Sequence, residues 1–166
     1  MLKGLCVCPG SFDPVTIGHV DLIERAVKLF DGVIVVVLNN PSKRGCFSVE
    51  ERLDMLAKVC LHLPTVEVDS FDGFLTEYIQ KRETRIVIRG IRTIADIDYE
   101  FQMAQINRQM VPEMETLFLM VTAQYAHVSS SAVREICGFG GDISAFVPAI
   151  IVEQIHERLW PHGRMQ

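Results

Sequence analysis

Four groups of residues in this chain could bind phosphate and stabilise a phosphoryl group during its transfer. They are Gly10, Ser11 and His19, then Lys43 and Arg44, then Arg89 and Arg92, and last Ser129, Ser130 and Ser131. Guanidinium groups form paired hydrogen bonds to oxyanions, and imidazole or ammonium groups donate to them singly. The sequence lacks a serine–histidine–aspartate arrangement for covalent catalysis, so we expect catalysis by positioning and charge neutralisation.

The first group lies where a strand gives way to a helix. The apolar segment Gly4–Cys8 predicts a strand, which we expect to stop at Pro9 because proline has no N–H for a further ladder bond. Asp13–Pro14 predicts a turn, and Thr16 is a suitable N-cap for a helix that begins near His19. A helix N-terminus attracts anions through its free N–H groups and its dipole. On its own this loop is only a weak indication of nucleotide binding, because it matches neither the Gly-x-Gly-x-x-Gly fingerprint nor the lysine-bearing P-loop.

Strand and helix patterns alternate through the rest of the chain. Further strands are predicted at Val33–Leu38, Val66–Val68, Arg85–Ile88 and Leu117–Val121. Helices are predicted from the first loop to Asp31–Gly32, from the capping box Ser48–Glu51, up to Arg82, over Ala95–Met110, after the three serines and after Pro148. We therefore expect residues 1–166 to form a single α/β domain. It would contain a Rossmann-like, open, parallel five-stranded sheet of order 3-2-1-4-5 with helices on both faces.

This strand order brings the phosphate-binding groups to one edge of the sheet. Ligands of open α/β sheets bind outside the carboxyl ends of the strands, and strands 1 and 4 are neighbours in the predicted order. Arg89 and Arg92 therefore flank the same crevice as the first loop, and Lys43 follows strand 2 at that edge. Solvated surface turns are the alternative interpretation of these cations. One of the three serines would cap a helix, and the other hydroxyls suit a phosphate ligand.

The composition, with 49% hydrophobic and 22% charged residues, is that of a globular protein. The formal net charge of -5 gives no indication of a nucleic-acid partner. The longest aliphatic run, Val33–Leu38, is too short to span a bilayer and no signal peptide is recognisable, so we expect a soluble cytoplasmic protein without a membrane partner. The five cysteines lack both a secretory context and zinc-site spacing, so we expect buried free thiols.

Two motifs resemble those of the nucleotidyltransferase superfamily. Pro9–Pro14 with Thr16–His19 resembles the first motif, and Val128–Arg134 resembles the second. A further set of residues narrows the resemblance to the phosphopantetheine adenylyltransferase family. That set comprises Arg89–Arg92, Asp96, Tyr99–Glu100, Asn107–Arg108 and Pro112–Glu113. The resemblance covers nearly the whole chain without large insertions.

The resemblance implies an enzyme that transfers the adenylyl group of ATP to 4′-phosphopantetheine and gives dephospho-coenzyme A and pyrophosphate. It implies Mg²⁺ as the cofactor, a homo-oligomer of six copies, and coenzyme A as a feedback ligand. We expect no metal-ligating residues, since Mg²⁺ often binds mainly through phosphates and water. Two alternatives stay open: another small-molecule nucleotidyltransferase of the superfamily, and a nucleotide-binding module without turnover.

The resemblance also implies roles for individual residues. The implied catalytic residues are His19, Lys43, Arg89 and Arg92. The implied ATP-binding residues are Ser11, Phe12, His19, Gly90, Ile91, Arg92, Glu100, Tyr125, Ala126, His127, Val128, Ser129, Ser130 and Ser131. The implied acceptor-binding residues are Ser11, Lys43, Leu75 and Arg89. Tyr125 and His127 stand where some members of the family have tryptophan and phenylalanine, so the resemblance defines the packing around adenine less closely than the phosphate site.

Overall fold

The computed structural model describes residues 2–39 and 45–161. Within these ranges, strands and helices alternate around one five-stranded sheet in which all neighbouring strands are parallel. The strands are β1 (Leu2–Gly10), β2 (Phe30–Asn39), β3 (Val66–Asp72), β4 (Ile86–Ile91) and β5 (Glu115–Met120). Their order across the sheet is β3-β2-β1-β4-β5, which confirms the predicted topology.

Helices connect the strands and follow the last one. They are α1 (Ile17–Leu29), α2 (Val49–Cys60), α3 (Leu75–Lys81), α4 (Ile94–Met110), α5 (Ser130–Gly138) and α6 (Ala149–Leu159), and a 3₁₀ turn occupies Ala123–Tyr125. The predicted capping box of α2 is confirmed: Glu51 N–H donates to Ser48 Oγ, and the Glu51 carboxylate accepts from Ser48 N–H at 2.6 Å. Thr16 caps α1 as predicted, and Ser129 is the serine that caps α5. No helix in the described ranges is long and apolar enough to cross a membrane.

Helices cover both faces of the sheet, because alternate strand residues point to opposite sides. Cys6 and Cys8 of β1 lie in the larger core cluster, together with buried residues of α1, α2, α5 and α6. Val7, between them, lies in the smaller cluster with Tyr78 and Ile79 of α3. The predicted helical layers on both faces are confirmed, and they leave the carboxyl edge of the strands open for a ligand.

The first strand is longer than predicted and runs through Pro9 to Gly10. Pro9 pairs with Val36 on the β2 side, whereas the pairing of β1 with β4 ends at Val7 and Val87. The Pro9 carbonyl accepts a hydrogen bond from the Arg89 side chain on the β4 side, and the N–H that proline lacks would point to that same side. The prediction that Pro9 ends the strand was wrong. The N–H that proline lacks would face β4, and β1 makes no ladder bond to β4 at this position.

The end of α1 also differs from its prediction. The helix ends at Leu29, and Phe30, Asp31 and Gly32 belong to β2 instead of a turn. Phe30 is extended and buried in the core, and a Cβ at Gly32 would lie 2.5 Å from the Leu5 side chain. Gly32 therefore allows β1 and β2 to approach each other closely. The local sequence does not distinguish a glycine with this role from one that ends a helix.

Strands β3 and β4 extend further towards the carboxyl edge than predicted. Arg89 pairs with Phe118 and lies within β4, whereas the sequence predicts that it follows the strand. Asp72 ends β3 opposite Asn39 of β2, and the Asn39 side-chain amide donates to the Asp72 carboxylate at 2.6 Å. Pairing with the neighbouring strands extends both β3 and β4, and the pairing of β4 with β5 fixes Arg89 on the sheet.

The cysteines form no disulfide. Cys6, Cys8, Cys60 and Cys137 are buried as expected, but Cys46 is partly exposed, which corrects the expectation for that residue. Burial raises the pKa of the Cys60 thiol to about 11 and also raises the pKa of Cys137. These two thiols therefore stay protonated at neutral pH and behave as small apolar side chains.

Candidate active site

A cavity of about 650 Å³ opens at the carboxyl edge of the sheet, beside the ends of β1 and β4. The N-terminal turns of α1 and α5 also contribute to its wall. The polar side chains in the lining belong to Ser11, Asp13, Thr16, His19, Asn39, Arg52, Arg89, Arg92, Glu100, Ser129, Ser130, Ser131 and Arg134. Because two helices begin here and four arginines line the wall, we call this space the anion cavity.

The loop after β1 has a strained backbone that a buried ring supports. Phe12 has a φ of 47°, in the left-handed region, and its side chain is only 4% exposed. The Phe12 ring packs edge-on against the His19 imidazole with 5.1 Å between ring centroids. A Cβ at Gly10 would lie 2.9 Å from the same ring, so glycine is needed there for Phe12 to pack beneath the loop. We expect Phe12 to meet a ligand chiefly through its main chain.

His19 is held as a neutral hydrogen-bond donor. The backbone N–H of Thr16 donates to His19 Nδ1 at 3.0 Å, so Nδ1 is unprotonated and Nε2 carries the proton. Burial and the positive charges of Arg92 and Arg89 lower the pKa of His19 to about 4. At neutral pH this uncharged imidazole lines the anion cavity with one N–H available, which suits donation to a phosphoryl oxygen.

Arg89 is fixed at the junction of β1, β4 and α4. Its Nε and Nη2 donate to the two carboxylate oxygens of Glu100 at 2.7 and 2.5 Å. Its Nη1 donates to the Pro9 carbonyl at 2.7 Å. This bidentate pair orients the guanidinium and partly neutralises it, while the N–H groups that remain can still contact an oxyanion.

Arg92 is the more exposed of the two predicted arginines. Its Nε and Nη2 donate to the Asp96 carboxylate, in the first turn of α4, at 3.3 and 3.2 Å. Burial opposes ionisation of Asp96, but hydrogen bonds from the Arg92 side chain and backbone hold its pKa below the ordinary value. Arg92 therefore lines the cavity as a charge that can exchange Asp96 for a ligand phosphate.

The second motif is hydrogen-bonded to the first loop. Ser130 donates from its hydroxyl to the Pro14 carbonyl at 2.7 Å. Arg134 donates from Nη1 to the Asp13 carbonyl and from Nη2 to Ser131 Oγ at 3.2 Å. The two motifs, more than a hundred residues apart in sequence, thus form one continuous wall of the anion cavity.

Comparisons with known proteins identify the family to which this site belongs. The chain is 49% identical over 154 residues to a phosphopantetheine adenylyltransferase of Caldanaerobacter subterraneus subsp. tengcongensis, an alignment that covers 93% of this chain and 96% of the relative. It is 47% identical over 153 residues to a phosphopantetheine adenylyltransferase of Clostridium perfringens, covering 92% and 93%. The chain belongs to the phosphopantetheine adenylyltransferase family. A broader family model, described as cytidylyltransferase-like, matches residues 7–136.

A solved structure shares the fold of this adenylyltransferase family member. Plasmodium falciparum nicotinic acid mononucleotide adenylyltransferase, in complex with NaAD, superposes with a TM-score of 0.66. The alignment covers 93% of this chain and 95% of the other, at 16% sequence identity. At this identity the likeness supports the Rossmann-like nucleotidyltransferase fold and no narrower conclusion.

A second cavity of about 620 Å³ adjoins the anion cavity. The two cavities share Leu38, Asn39, Arg89 and Glu100. Apolar side chains dominate the rest of the second lining, among them Phe74, Leu75, Val87, Tyr99 and Met103. We call it the apolar cavity, and it contains Leu75, which the resemblance to the adenylyltransferase family assigned to the acceptor.

Most residues that the family resemblance implied converge on these cavities. The anion cavity is lined by Ser11, Phe12, His19, Arg89, Gly90, Arg92, Glu100, Val128, Ser129, Ser130 and Ser131. Lys43 lies outside the described residues, so its predicted roles stay predictions. Ile91 is buried beside the cavity, and Tyr125 lies near Gly18 of α1 without lining the cavity. Ala126 and His127 are also absent from the lining, and the His127 ring instead contacts Phe146 edge-on.

Sequence reasoning missed three charged residues of this adenylyltransferase site. Asp13 belongs to a predicted turn and to the first motif with no role of its own, yet its carboxylate accepts from the N–H groups of Cys46 and Phe47 at 2.9 and 2.8 Å. Arg134 belongs to the second motif, but the sequence alone indicates no role for it. The sequence gives no signal for Arg52, because it lies within the amphipathic helix α2, where an arginine is ordinarily a surface residue. Only tertiary contacts reveal its burial.

The described residues offer few metal ligands. Among them, no group of three or more histidine, cysteine or acidic side chains is placed to hold a metal ion. The carboxylates in the cavity lining, Asp13 and Glu100, are already bound to backbone N–H groups and to Arg89. This donor set fits an ion whose ligands are mainly phosphate oxygens and water.

Proposed function

We propose that this chain transfers the adenylyl group of ATP to 4′-phosphopantetheine and releases dephospho-coenzyme A and pyrophosphate. Its membership of the phosphopantetheine adenylyltransferase family supports this reaction. The main structural support is that the anion cavity and the apolar cavity meet at Arg89 and Glu100. A polar site for a nucleotide and an apolar site for a pantetheine arm thus adjoin where two phosphates must react.

The reaction requires two anions to approach each other. A phosphate oxygen of phosphopantetheine attacks the α-phosphorus of ATP and forms the new P–O bond. The bond from the α-phosphorus to the oxygen that bridges to the β-phosphorus breaks, and its electron pair leaves with pyrophosphate. No covalent enzyme intermediate is needed, so the protein acts by alignment and charge neutralisation.

In this proposal His19 is the central catalytic residue. Its neutral Nε2–H donates to an oxygen of the α-phosphoryl group, where negative charge accumulates, and the N-terminus of α1 adds its dipole. Arg92 neutralises the same region from the other side of the cavity. Arg89 and Lys43 hold the attacking phosphate, and Ser129, Ser130 and Ser131 contact the triphosphate.

We propose Mg²⁺ as the cofactor, held by ATP phosphates and water with no side chain assigned to it. When bound, it would offset the charge of the triphosphate. The remaining ATP contacts implied by the family, through Ile91, Tyr125, Ala126 and His127, belong to the same proposal. Tyr125 near Gly18 lies closest to the anion cavity among them and is the best candidate to contact adenine.

We further propose that the protein works in the cytoplasm as a homohexamer, with coenzyme A as a feedback ligand and without nucleic-acid or membrane partners. Coenzyme A carries both a pantetheine arm and an adenylate, which matches the two adjoining cavities. Apolar side chains left exposed on α4 and β5 support self-association. They are Ile94, Ile97, Tyr99, Phe101, Ile106, Met110, Leu117, Phe118 and Met120.

The decisive experiment is turnover with purified protein, ATP, Mg²⁺ and 4′-phosphopantetheine. We expect dephospho-coenzyme A by mass spectrometry, with pyrophosphate released in equal amount. Pantetheine without its phosphate is the negative control, because it lacks both the nucleophile and the anchoring charge. A substrate panel with nicotinamide mononucleotide as acceptor or CTP as donor separates this reaction from those of related enzymes. Preferential turnover of one of these, or none of phosphopantetheine, would contradict the proposal.

A further inference from the structure

The arginines of the anion cavity differ in whether a carboxylate balances their charge. Three of the four have such a partner: Arg89 with Glu100, Arg92 with Asp96, and Arg134 with Asp13. Arg52 is different, because no carboxylate of the described residues lies within ion-pair distance of its guanidinium group. Yet Arg52 is 6% exposed and therefore the most buried of the four.

The contacts that Arg52 makes are to neutral backbone oxygens. Its Nη1 donates to the Ser11 carbonyl at 3.1 Å, and its Nε donates to the Ser48 carbonyl at 3.2 Å. A guanidinium group has five N–H donors, and these two bonds use only part of them. The side chain thus extends from α2 to the back of the loop after β1, and it lines the anion cavity there.

A glycine lies beside this guanidinium. A Cβ at Gly45 would lie 3.5 Å from Arg52 Nη2, an ordinary contact, and 3.0 Å from the Phe47 carbonyl oxygen, a tight one, so glycine is favoured there chiefly by the Phe47 backbone. Gly45 also lines the anion cavity. Gly45 and the Arg52 guanidinium therefore lie side by side in the wall of the anion cavity.

Burying a charge without a counter-charge costs desolvation free energy, and proteins rarely retain such a charge without compensation. A phosphate in the anion cavity would supply the missing negative charge. We propose that Arg52 is a phosphate-binding residue, whose guanidinium pairs with a phosphate group of the bound polyphosphate. The identity of that ligand as ATP or its pyrophosphate product rests on the proposed function; the anion site itself rests on the burial and contacts of Arg52.

A purely structural role makes a different prediction. As a clamp between Ser11 and α2, Arg52 would affect stability and the position of the loop, and any donor of similar reach would replace it. As an anion site, it must carry a positive charge. Arg52→Gln keeps an amide donor without the charge, Arg52→Lys keeps the charge without the planar fork, and Arg52→Met keeps neither.

The test is the dissociation constant for pyrophosphate, measured by calorimetry on the full chain, with ATP as a second probe. We expect Arg52→Met and Arg52→Gln to bind pyrophosphate about tenfold to a hundredfold more weakly, the scale of one charge-assisted hydrogen bond. Arg52→Lys should recover most of that loss. Lys58→Met is the matched control, because Lys58 is an exposed cation on the same helix that does not line the cavity. It should bind as the wild type does.

Wild-type affinity in a folded Arg52→Gln variant would overturn the inference, and so would a loss that Lys fails to recover. If Arg52→Met does not fold, the comparison of Gln with Lys decides the matter alone. Turnover of the wild type is measured in parallel. If the wild type makes no dephospho-coenzyme A but its pyrophosphate affinity depends on the charge at Arg52, the proposed reaction fails and the anion site stands. If the wild type makes dephospho-coenzyme A while Arg52→Gln binds pyrophosphate as tightly as the wild type, the proposed reaction stands and the anion site at Arg52 fails.

Discussion

At the residue scale, the site combines an uncharged donor with fixed cations. Burial and the positive charges of Arg92 and Arg89 lower the pKa of His19, so the imidazole stays uncharged near neutral pH. The Thr16 N–H fixes the tautomer that leaves Nε2–H available. In the proposed mechanism, this arrangement gives His19 a directional role in the transition state and leaves most of the charge neutralisation to the arginines.

Replacing His19 by alanine should lower kcat by about a hundredfold, the usual effect of removing one transition-state donor. The fold should survive, because Thr16 still accepts from the backbone N–H at position 19 through its own carbonyl. Steady-state kinetics and circular dichroism check both expectations. His62→Ala, an exposed histidine paired with Glu24, is the control and should retain activity. Near-normal turnover of folded His19→Ala would remove His19 from the mechanism.

His19 should stay neutral in the folded protein well below pH 6. Because its folded pKa of about 4 lies below the ordinary value of 6.5, the unfolded chain takes up this proton first as the pH falls. The contribution of His19 to stability is therefore present above pH 6.5 and is lost as the pH falls towards 4. Nitrogen NMR should show the Nε2–H tautomer at pH 6. An imidazolium signal from His19 at that pH would contradict the assignment.

Removing Arg89 should affect the acceptor more than ATP. Arg89→Ala, and likewise Lys43→Ala, should lower kcat/KM for phosphopantetheine by at least about tenfold to a hundredfold. ATP affinity, measured by calorimetry without acceptor, should change only a few-fold. Arg108→Ala, which removes an exposed partner of Glu115, is the control. Loss of ATP affinity with retained acceptor affinity would show that the two subsites are assigned the wrong way round.

At the element scale, local signals in the sequence predicted which helices and strands exist better than where they end. The Ser48–Glu51 capping box and the β-branched run of β2 depend on neighbouring residues, and both were predictable. The extension of β1 through Pro9 depends on which neighbour the missing N–H faces. The inclusion of Arg89 in β4 depends on pairing with β5. These boundaries are set by contacts between distant segments, so local patterns could not predict them.

The residues of the site likewise divide into those that the sequence could predict and those that only tertiary contacts reveal. Strand order and the two motifs predicted that the first loop, Arg89 and the serines would converge. They could not show that Glu100 pairs with Arg89, or that α2 buries Arg52 against Ser11. Each contact joins two different elements of the fold, and hydrophobic periodicity within an element gives no information about such contacts. Resemblance to the family supplied Glu100 as a site residue, but its bond to Arg89 comes from the structure.

The capping box of α2 should make a measurable contribution to stability. Ser48→Ala removes the acceptor for the Glu51 N–H and should lower the free energy of unfolding by about 1 kcal/mol. Ser48→Asp retains a capping oxygen and should lose much less. Urea unfolding at one fixed protein concentration measures the difference. Equal stability of the alanine and aspartate variants would indicate that the cap contributes little here.

At the scale of the whole molecule, α4 and β5 have an unusual pattern of exposure. No residue of α4 is buried, although the helix is 17 residues long and contains several large apolar side chains. It packs beside β5, the edge strand, where Leu117, Phe118 and Met120 are also exposed. Large apolar surfaces and uncovered edge strands are usually protected by another chain. The proposed homohexamer would account for this pattern if α4 lay at an interface between copies of the chain.

Phe101→Glu should therefore break the assembly. Phe101 lies on α4, is 55% exposed and lines neither cavity, so a carboxylate there should not disturb the fold or the site directly. Buried in an interface, the same carboxylate would lack a partner, and association would become unfavourable. Light scattering at micromolar concentration should give a hexamer for the wild type and smaller species for the variant. Leu61→Glu, at the end of α2 and 84% exposed, is the matched control and should keep the wild-type mass. A monomeric wild type would overturn the proposed assembly, whereas a hexameric Phe101→Glu variant would place the interface elsewhere than on α4.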